Sequence, residues 1–263
     1  MGSATREATA AAKAALAAQR SVDLQVAEDL FAAGRVVGRS AQLRSALTDP
    51  DADPVRTRGL VNGVFGGRIG PVALELLGGI AASRWSSADD LLQGIEELGL
   101  RAAARSAAAK PVESELFEFG RIVSSNAELE LALGSKLSPT ASKAALADRL
   151  LAGNASPQAA AIVRHLVEQP RGRRIGELLR GAAAIVADER GYAVATVTSA
   201  GPLTAAQLQR LERQLASQYG RDVRFNLVID PSLVGGLRIQ IGDDVIDGSV
   251  SARLTDLRQK LAG

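Results

Sequence analysis

The spacing of apolar residues divides the chain into a long helical part and a short part that contains strands. Through residues 4–190 the apolar positions recur every three or four residues, which is the period of an amphipathic helix. From Tyr192 to Thr198 the period changes to two, which is typical of a strand. The sequence therefore predicts an α+β fold that is mostly α, with its strands confined to the C-terminal end.

The C-terminal part, residues 191–263, mixes strand and helix signals. Thr204 and Gln207 form a capping box that starts a helix after the first strand. The run from Arg224 to Ser249 then contains three short alternating stretches separated by turn residues, and we expect it to form a β-meander. Val250 and the leucines at positions 254, 257 and 261 have helical spacing. The predicted domain is a small β-α-β-β-β-α unit.

The helical part contains a sequence duplication. The segment ELFEFGRIV around Phe117 repeats DLFAAGRVV around Phe31 at an offset of 86 residues. The same offset relates Pro157 to Pro71 without a gap. The register is held from residues 29 to 71 and from 115 to 157, which is 43 residues in each copy, and this is typical of tandem copies of one structural unit.

We therefore expect two tandem helical-bundle units before the C-terminal domain. The first is predicted at residues 1–93 and the second at residues 94–190. A long helix predicted at residues 88–109 would close the first copy and open the second. Helical units that share an element in this way form one continuous array.

Composition argues against several classes of function. The chain has no cysteine and one histidine, which removes disulfides, thiolate metal sites and histidine-rich metal sites. The net charge is only +2 and aromatic residues make up 3%, so the chain lacks the basic, aromatic surface of nucleic-acid-binding proteins. No apolar stretch is long enough to span a membrane. We expect no metal, no cofactor, no nucleic-acid partner and no direct membrane insertion.

Three polar clusters have both a functional and a structural interpretation. The carboxylates of Asp243, Asp244 and Asp247 could bind a cation, but we favour acidic residues in a turn. The arginines Arg171, Arg173 and Arg174 could bind an anion, but we favour an exposed turn between helices. The glycines Gly63, Gly66, Gly67 and Gly70 could bind a phosphate group, but their spacing matches no known ligand loop, and we favour a helix C-cap. We interpret His165 as a surface or edge residue. No catalytic residue and no enzyme motif is predicted.

The C-terminal sequence resembles that of a known family. The segment VGGLRIQIGDDVIDGS at Val234–Ser249, followed by Arg253 and Leu254, closely resembles the C-terminal signature of the delta subunit of F-type ATP synthases. The mitochondrial member is the oligomycin-sensitivity-conferring protein. Residues 94–263 look like a complete member of this family, and residues 1–93 look like an extension that the duplication explains.

The resemblance implies a non-catalytic stator subunit. In that family the helical bundle binds the N-terminal helix of an alpha subunit, and contact with beta subunits of the head is possible. The C-terminal domain holds the b-type peripheral stalk, so that the head resists the torque of the rotor. The implied location is peripheral, on the cytoplasmic face of the cell membrane. A helical-repeat scaffold unrelated to ATP synthase is the alternative; it explains the duplication but not the C-terminal signature.

The resemblance also implies binding residues. In the family the alpha-subunit helix lies between the first and fifth bundle helices, which correspond here to residues 94–109 and 157–168, and to residues 4–20 and 71–84 in the first copy. The implied residues are Ala159, Ile162, Val163 and Leu166, with Ala73, Leu76, Leu77 and Ile80 as their duplicates. A helix core has the same pattern, so that interpretation also stays open. We expect the second copy to bind, because it adjoins the C-terminal domain.

Overall fold

A computed structural model describes residues 2–107, 111–135, 137–242 and 244–250. The chain divides into two compact units, Met1–Val186 and Ala187–Gly263. Helices dominate the first unit, and the second contains a small mixed sheet, so the predicted α+β, mostly α class is confirmed. Both predicted helical copies lie in the first unit apart from residues 187–190, and the boundary between the copies at residues 93 and 94 stays a prediction.

The helices of the described residues follow the predicted positions closely. They are α1 Ser3–Ala18, α2 Leu24–Arg39, α3 Ala41–Leu47, α4 Pro54–Phe65, α5 Pro71–Ala81, α6 Ala88–Ser106, α7 Val112–Ser125, α8 Ala127–Gly134, α9 Thr140–Leu151, α10 Pro157–Glu168, α11 Ile175–Glu189 and α12 Ala205–Tyr219. The strands are β1 Tyr192–Ser199, β2 Asp222–Ile229, β3 Leu237–Ile241 and β4 Asp244–Asp247.

The structure repeats the 86-residue offset of the sequence. Helices α8, α9 and α10 begin 86 residues after α3, α4 and α5. The side chain of Ser40 caps α3, and Asn126 at the corresponding position caps α8 in the same way. Two turn glycines, Gly67 and Gly153, also correspond and have φ angles of 72° and 76°. Helix α6 is the sixth helix of the first copy and the first helix of the second.

One continuous apolar core, built mainly from Leu, Ile, Val and Ala, fills the first unit. Small residues let its helices approach closely. A Cβ atom on Gly94 would overlap the indole ring of Trp85, and one on Gly99 would lie 2.5 Å from Phe31 Cε1. Helix α6 is buried on almost every side, which fits its position in both copies.

The second unit contains a four-stranded sheet with the order β2-β1-β3-β4. Strand β1 pairs with β2 in parallel and with β3 antiparallel, and β3 pairs with β4 antiparallel. The alternate residues Ala193, Ala195 and Val197 of β1 pack in a core with Leu215 of α12 and Val223 of β2.

The predicted β-meander is wrong in one respect. Strands β2 and β3 do not pair, because β1 lies between them. The connection at residues 230–236 passes the end of β1, where the Asp230 amide donates to the Ser199 carbonyl at 2.8 Å. Gly235 and Gly236 have φ angles of 99° and 85° in this connection, a region that L-residues rarely adopt. The predicted terminal helix at residues 251–263 and Asp243 lie outside the described residues.

Candidate partner-binding site

The eight residues predicted to bind a partner are all buried in the first unit. Each has a relative exposure of 2% or less and belongs to the apolar core: Ala73, Leu76, Leu77 and Ile80 on α5, and Ala159, Ile162, Val163 and Leu166 on α10. The interpretation of these residues as core is therefore correct for the chain alone. They form the inner faces of α5 and α10, and their role in partner binding stays a prediction.

The same local device fixes the start of both helices. A carboxylate on the second helix of each copy accepts a hydrogen bond from the backbone at the start of the fifth. Asp29 Oδ2 accepts from the Gly70 amide at 2.7 Å, and Glu115 Oε2 accepts from the Ser156 amide at 2.9 Å. These carboxylates accept hydrogen bonds from backbone N–H groups that have no partner within the helix, and their negative charge interacts favourably with the positive end of the helix dipole. The pair recurs at the 86-residue offset, so α5 and α10 are positioned alike.

A groove lies between α1 and the end of α5. It has a volume of about 780 Å³. Ala4, Ala8 and Ala11 of α1 line it together with the segment that follows α5, which includes Arg84 and Trp85, and the loop between α3 and α4 closes one side. Ala11 is exposed and Ala82 is half-buried. Helix α5 contributes Ala81 to the lining, so this groove lies at the end of α5 and does not follow the faces of α1 and α5 along their length.

In the second copy, α2 packs against both α6 and α10. The ring of Phe31 stacks on His165 of α10, with centroids 4.2 Å apart and an interplanar angle of 12°. The ring also lies against α6 at Gly99, where a Cβ atom has no room. Phe31 is 2% exposed. An aromatic side chain of the first copy is thus inserted between two helices of the second.

Further contacts continue along the same face of α2. The Arg35 guanidinium lies 3.1 Å from a Glu168 carboxylate oxygen on α10. Gln169 Nε2 donates to the Gly34 carbonyl at 3.4 Å, and its amide also lies against Gly38. Gly34 and Gly38 are four residues apart and lack side chains on this face, which lets α2 approach the second copy closely.

A buried charge cluster lies beside this contact. Glu96 of α6 is 7% exposed. Arg173 Nη2 donates hydrogen bonds to both oxygens of the Glu96 carboxylate, each at 3.0 Å. Arg171 Nη2 lies 2.8 Å from Glu96 Oε2. His165 Nε2 lies 3.4 Å from Glu96 Oε2. The cluster joins α6, α10 and the loop between α10 and α11.

Electrostatics favour a charged Glu96 and a neutral His165. Burial by itself would raise the pKa of Glu96, but the contact with His165 and the charges of Arg171 and Arg173 outweigh it and lower the pKa to about 2. Burial lowers the pKa of His165 below its ordinary value of 6.5. The positive charges of Arg35 and Arg171 lower this pKa further, whereas the negative charge of Glu96 raises it and only partly offsets these effects. The arrangement is an ion cluster that holds α6, α10 and the loop after α10 together. A cavity of about 170 Å³ adjoins it, and Glu96 and Arg173 line this cavity together with apolar side chains such as Leu166 and Leu178.

One sequence interpretation is wrong at this cluster, and a second is only partly right. His165 is 2% exposed and is not a surface residue. Residues 171–174 do form the predicted turn between helices, and Arg174 is exposed, but Arg171 and Arg173 are half-buried and contact Glu96; Arg171 adopts an unfavourable φ of 48°. The sequence signal for this close contact of α2 was the pair of glycines at positions 34 and 38, since small residues four apart mark a closely packed helix face.

The remaining candidate chemistry is structural in the described residues. Gly66 caps α4 and Gly67 has a positive φ angle, as the C-cap interpretation predicts. The residues that the structure describes contain no group of three metal-ligating side chains. Their helices include none that is long and apolar enough to cross a membrane.

The second unit exposes apolar residues on the edge strand β2. Leu227 and Ile229 are 46% and 57% exposed, although they continue the apolar face that begins at Val223. An edge strand with exposed apolar side chains is a surface on which another chain can pack.

A family model for the ATP synthase delta (OSCP) subunit matches residues 100–261. The match covers the second helical copy and the C-terminal unit. A mitochondrial ATP synthase structure from Toxoplasma gondii contains a chain with 19% identity and a TM-score of 0.42, covering 64% of this chain and 96% of that one. A similarity of this size does not establish a shared fold.

Curated relatives extend the similarity to the first copy. A protein of Leifsonia xyli named ATP synthase subunit delta is 56% identical over 265 residues, covering 100% of both chains. Proteins of the same name from Kineococcus radiotolerans and Streptomyces avermitilis are 43% and 42% identical, with at least 96% of each chain covered. The chain therefore belongs to the ATP synthase delta (OSCP) subunit family.

Proposed function

We propose that this chain is the stator subunit that links the alpha/beta catalytic head of an F-type ATP synthase to its b-type peripheral stalk. Membership of the family makes it a component of ATP synthase, and the delta and OSCP subunits are non-catalytic components of that complex. The observation that carries the proposal is the 56% identity to an ATP synthase delta subunit over the whole chain. The unrelated scaffold is therefore excluded.

The construction of the chain fits a mechanical role. A stator transmits force, and a large helical core distributes a load over many contacts. The first unit holds its helices by apolar packing, by carboxylate caps on α5 and α10, and by the ion cluster at Glu96. Interiors packed in this way transmit strain with little deformation.

For the alpha subunit, we propose that its N-terminal helix binds across the first and fifth helices of a bundle copy. The inner faces of those helices are the buried residues of α5 and α10 predicted from the sequence, and the partner would contact their outer edges. Helix-in-groove binding places an amphipathic helix along such a pair of helices. The beta subunits of the head are further possible partners.

For the b-type stalk, we propose the edge of the C-terminal sheet. Leu227 and Ile229 on β2 offer exposed apolar area that a stalk helix would cover. Such an assembly would hold the chain at the cytoplasmic face of the cell membrane as a peripheral protein. Nucleic acid is not expected among the partners.

The test is co-purification with the full chain as bait from detergent-solubilised membranes. We expect wild type to retain alpha, beta and b-type subunits. The double variant Leu227→Lys, Ile229→Lys should lose the b-type subunits and keep alpha and beta, because charge on β2 opposes apolar contact. Val55→Lys is the control, since it introduces the same charge at an apolar residue that is 76% exposed on α4 and not on β2.

Two results would count against the proposal. Retention of none of these subunits by wild type would contradict the stator function itself. Retention of the b-type subunits by the double variant, with its circular dichroism unchanged, would contradict only the surface on β2.

A further inference from the structure

The small cavity beside the ion cluster lies between α6, α10 and α11 of the second copy. It has a volume of about 170 Å³, and its apolar walls are formed by Leu100, Leu166, Leu178 and Ile185. Gly181 of α11 also lines it and is exposed, and a Cβ atom on Gly181 would meet no atom within 4 Å. An aliphatic cavity of about 150 Å³ holds one benzene ring, so this cavity has room for a single aromatic side chain and not for a helix.

The first copy has an aromatic ring at the corresponding place. Helix α11 repeats α6 at an offset of 87 residues, as ELLRG at 177–181 and DLLQG at 90–94 show. Gly181 therefore corresponds to Gly94. A Cβ atom on Gly94 would lie 2.1 Å from Trp85 Cη2, so the indole ring of Trp85 occupies the space that is open at Gly181.

The hydrogen bond of Trp85 also has a counterpart at the cavity. Trp85 is 8% exposed, and its Nε1 donates to the Ile80 carbonyl at the end of α5 at 2.8 Å. Leu166 of α10, which lines the cavity, corresponds to Ile80 at the 86-residue offset. Pro170 has no N–H to donate to the Leu166 carbonyl four residues before it. An indole in the cavity would therefore have an acceptor at the position where Trp85 has one.

The chain does not supply a ring to this cavity itself. Arg171 and Gly172 stand where Trp85 would be at the two offsets, and the Arg171 guanidinium lies 2.8 Å from Glu96 in the ion cluster. The five Phe, one Trp and two Tyr of the chain all lie in the part that the structure describes, and none of them lines the cavity. We infer that the cavity is a docking site for one aromatic side chain of a partner chain, held there as Trp85 is held in the first copy.

The charges at the cavity indicate what stands beside that aromatic residue. Three carboxylates and one guanidinium line it, those of Glu96, Glu97, Glu177 and Arg173. The charge of Glu96 is balanced by Arg173, and that of Glu97 by Arg101 at 2.8 Å. Glu177 is exposed and makes no ion pair with the residues that the structure describes. A partner segment with a basic residue next to its aromatic residue is complementary to this carboxylate.

Indole, the ring of tryptophan without its backbone, tests the cavity directly. 5-Fluoroindole is titrated with the full chain, and binding is followed by fluorine NMR. Gly181→Leu fills the cavity with an aliphatic side chain and should weaken binding about tenfold or more. Gly59→Leu is the matched control and should leave binding unchanged, because Gly59 is also an exposed helical glycine with open space at its Cβ position but lies on α4. Leucine is a better helix former than glycine, so both variants keep their helices.

Two results of this titration would overturn the assignment of the cavity. One is no binding of 5-fluoroindole by the wild-type chain. The other is equal binding by wild type, Gly181→Leu and Gly59→Leu, which would place the indole elsewhere on the chain.

The identity of the partner as another subunit of ATP synthase rests on the proposed function, so the titration is repeated with the purified complex. We expect the chain assembled with alpha, beta and b-type subunits to bind no 5-fluoroindole at the cavity, because a ring of the partner fills it. A complex assembled with Gly181→Leu gives the binding by the other subunits, which is subtracted. Binding to the assembled chain that is as tight as binding to the free chain would show an open cavity and would overturn the partner.

Two other outcomes have separate meanings. If the chain does not assemble with these subunits, the proposed function fails, and the titration of the free chain still decides whether the cavity holds an aromatic ring. If the free chain sediments as a dimer that Gly181→Leu dissociates, a second copy of this chain supplies the ring, which would overturn the assignment to another subunit.

Discussion

His165 shows how position, and not residue type, decides what a side chain does. It is the one histidine of the chain, and it lies between the ring of Phe31 and the carboxylate of Glu96. Neither ring nitrogen has a hydrogen bond of good geometry to the described residues. A neutral imidazole is compatible with such a buried site. A protonated imidazole would place a further positive charge beside the guanidinium groups of Arg35 and Arg171, which is unfavourable.

A pH dependence of stability follows from that environment. The pKa of His165 is lowered in the folded chain, so the unfolded chain takes up this proton first as the pH falls. The contribution of His165 to folding is complete above the ordinary pKa of 6.5 and decreases as the pH falls below it. We expect the free energy of unfolding, measured in urea, to decrease from pH 7.5 to pH 5.5, by at most about 1.4 kcal/mol per pH unit for one proton.

His165→Gln is the control for this titration, because glutamine is polar and does not titrate. Its free energy of unfolding should change less than that of wild type over the same pH interval. An equal decrease in both proteins would assign the effect to other groups. Glu96 contributes little over this interval, since its ordinary pKa of 4.5 and its pKa of about 2 in the folded chain both lie below pH 5.5.

The eight predicted binding residues show the limit of sequence reasoning at this scale. Their helical spacing identified the apolar faces of α5 and α10 correctly. Spacing cannot distinguish a face that packs on the same chain from one that packs on a partner, because both require the same residues. Glu96 and Arg173 are 77 residues apart, so their pairing depends on the packing of α6 and could not be predicted from either segment alone.

At the scale of elements, α2 and α6 join the two copies. The ring of Phe31 on α2 is held between Gly99 of α6 and His165 of α10. Gly99→Ala should lower the free energy of unfolding by about 1–3 kcal/mol, because the new methyl group would overlap a ring that cannot move aside. Thermal or urea unfolding measures the change.

Gly59→Ala is the matched control. Gly59 is exposed in α4, and a Cβ atom there meets nothing within 4 Å. Alanine is a better helix former than glycine by about 1 kcal/mol, so this variant should be as stable as wild type or more stable. If both variants have the same stability, the close packing of α2 on α6 is contradicted.

Elements were predicted well where their signals are local. Caps such as Ser87 and Thr204 and the prolines at 71 and 157 fixed the starts of helices. The strands were also found, but their order was not, because the insertion of β1 between β2 and β3 depends on contacts distant in sequence. The alternating pattern gives the face of a strand and contains no information about its neighbour.

At the scale of the whole molecule, duplication lengthens the helical part without adding a separate core. The shared helix α6 and the inserted Phe31 place both copies in one compact unit.

Coupling of ATP hydrolysis to proton pumping tests the stator function most directly. Inverted membrane vesicles that contain the complete ATP synthase are compared with vesicles from which this chain has been depleted and with depleted vesicles to which it has been added back. We predict that depletion abolishes proton pumping while hydrolysis continues, because an unheld head turns with the rotor, and that adding the chain restores pumping. Proton pumping per ATP that is unchanged after depletion would contradict the account.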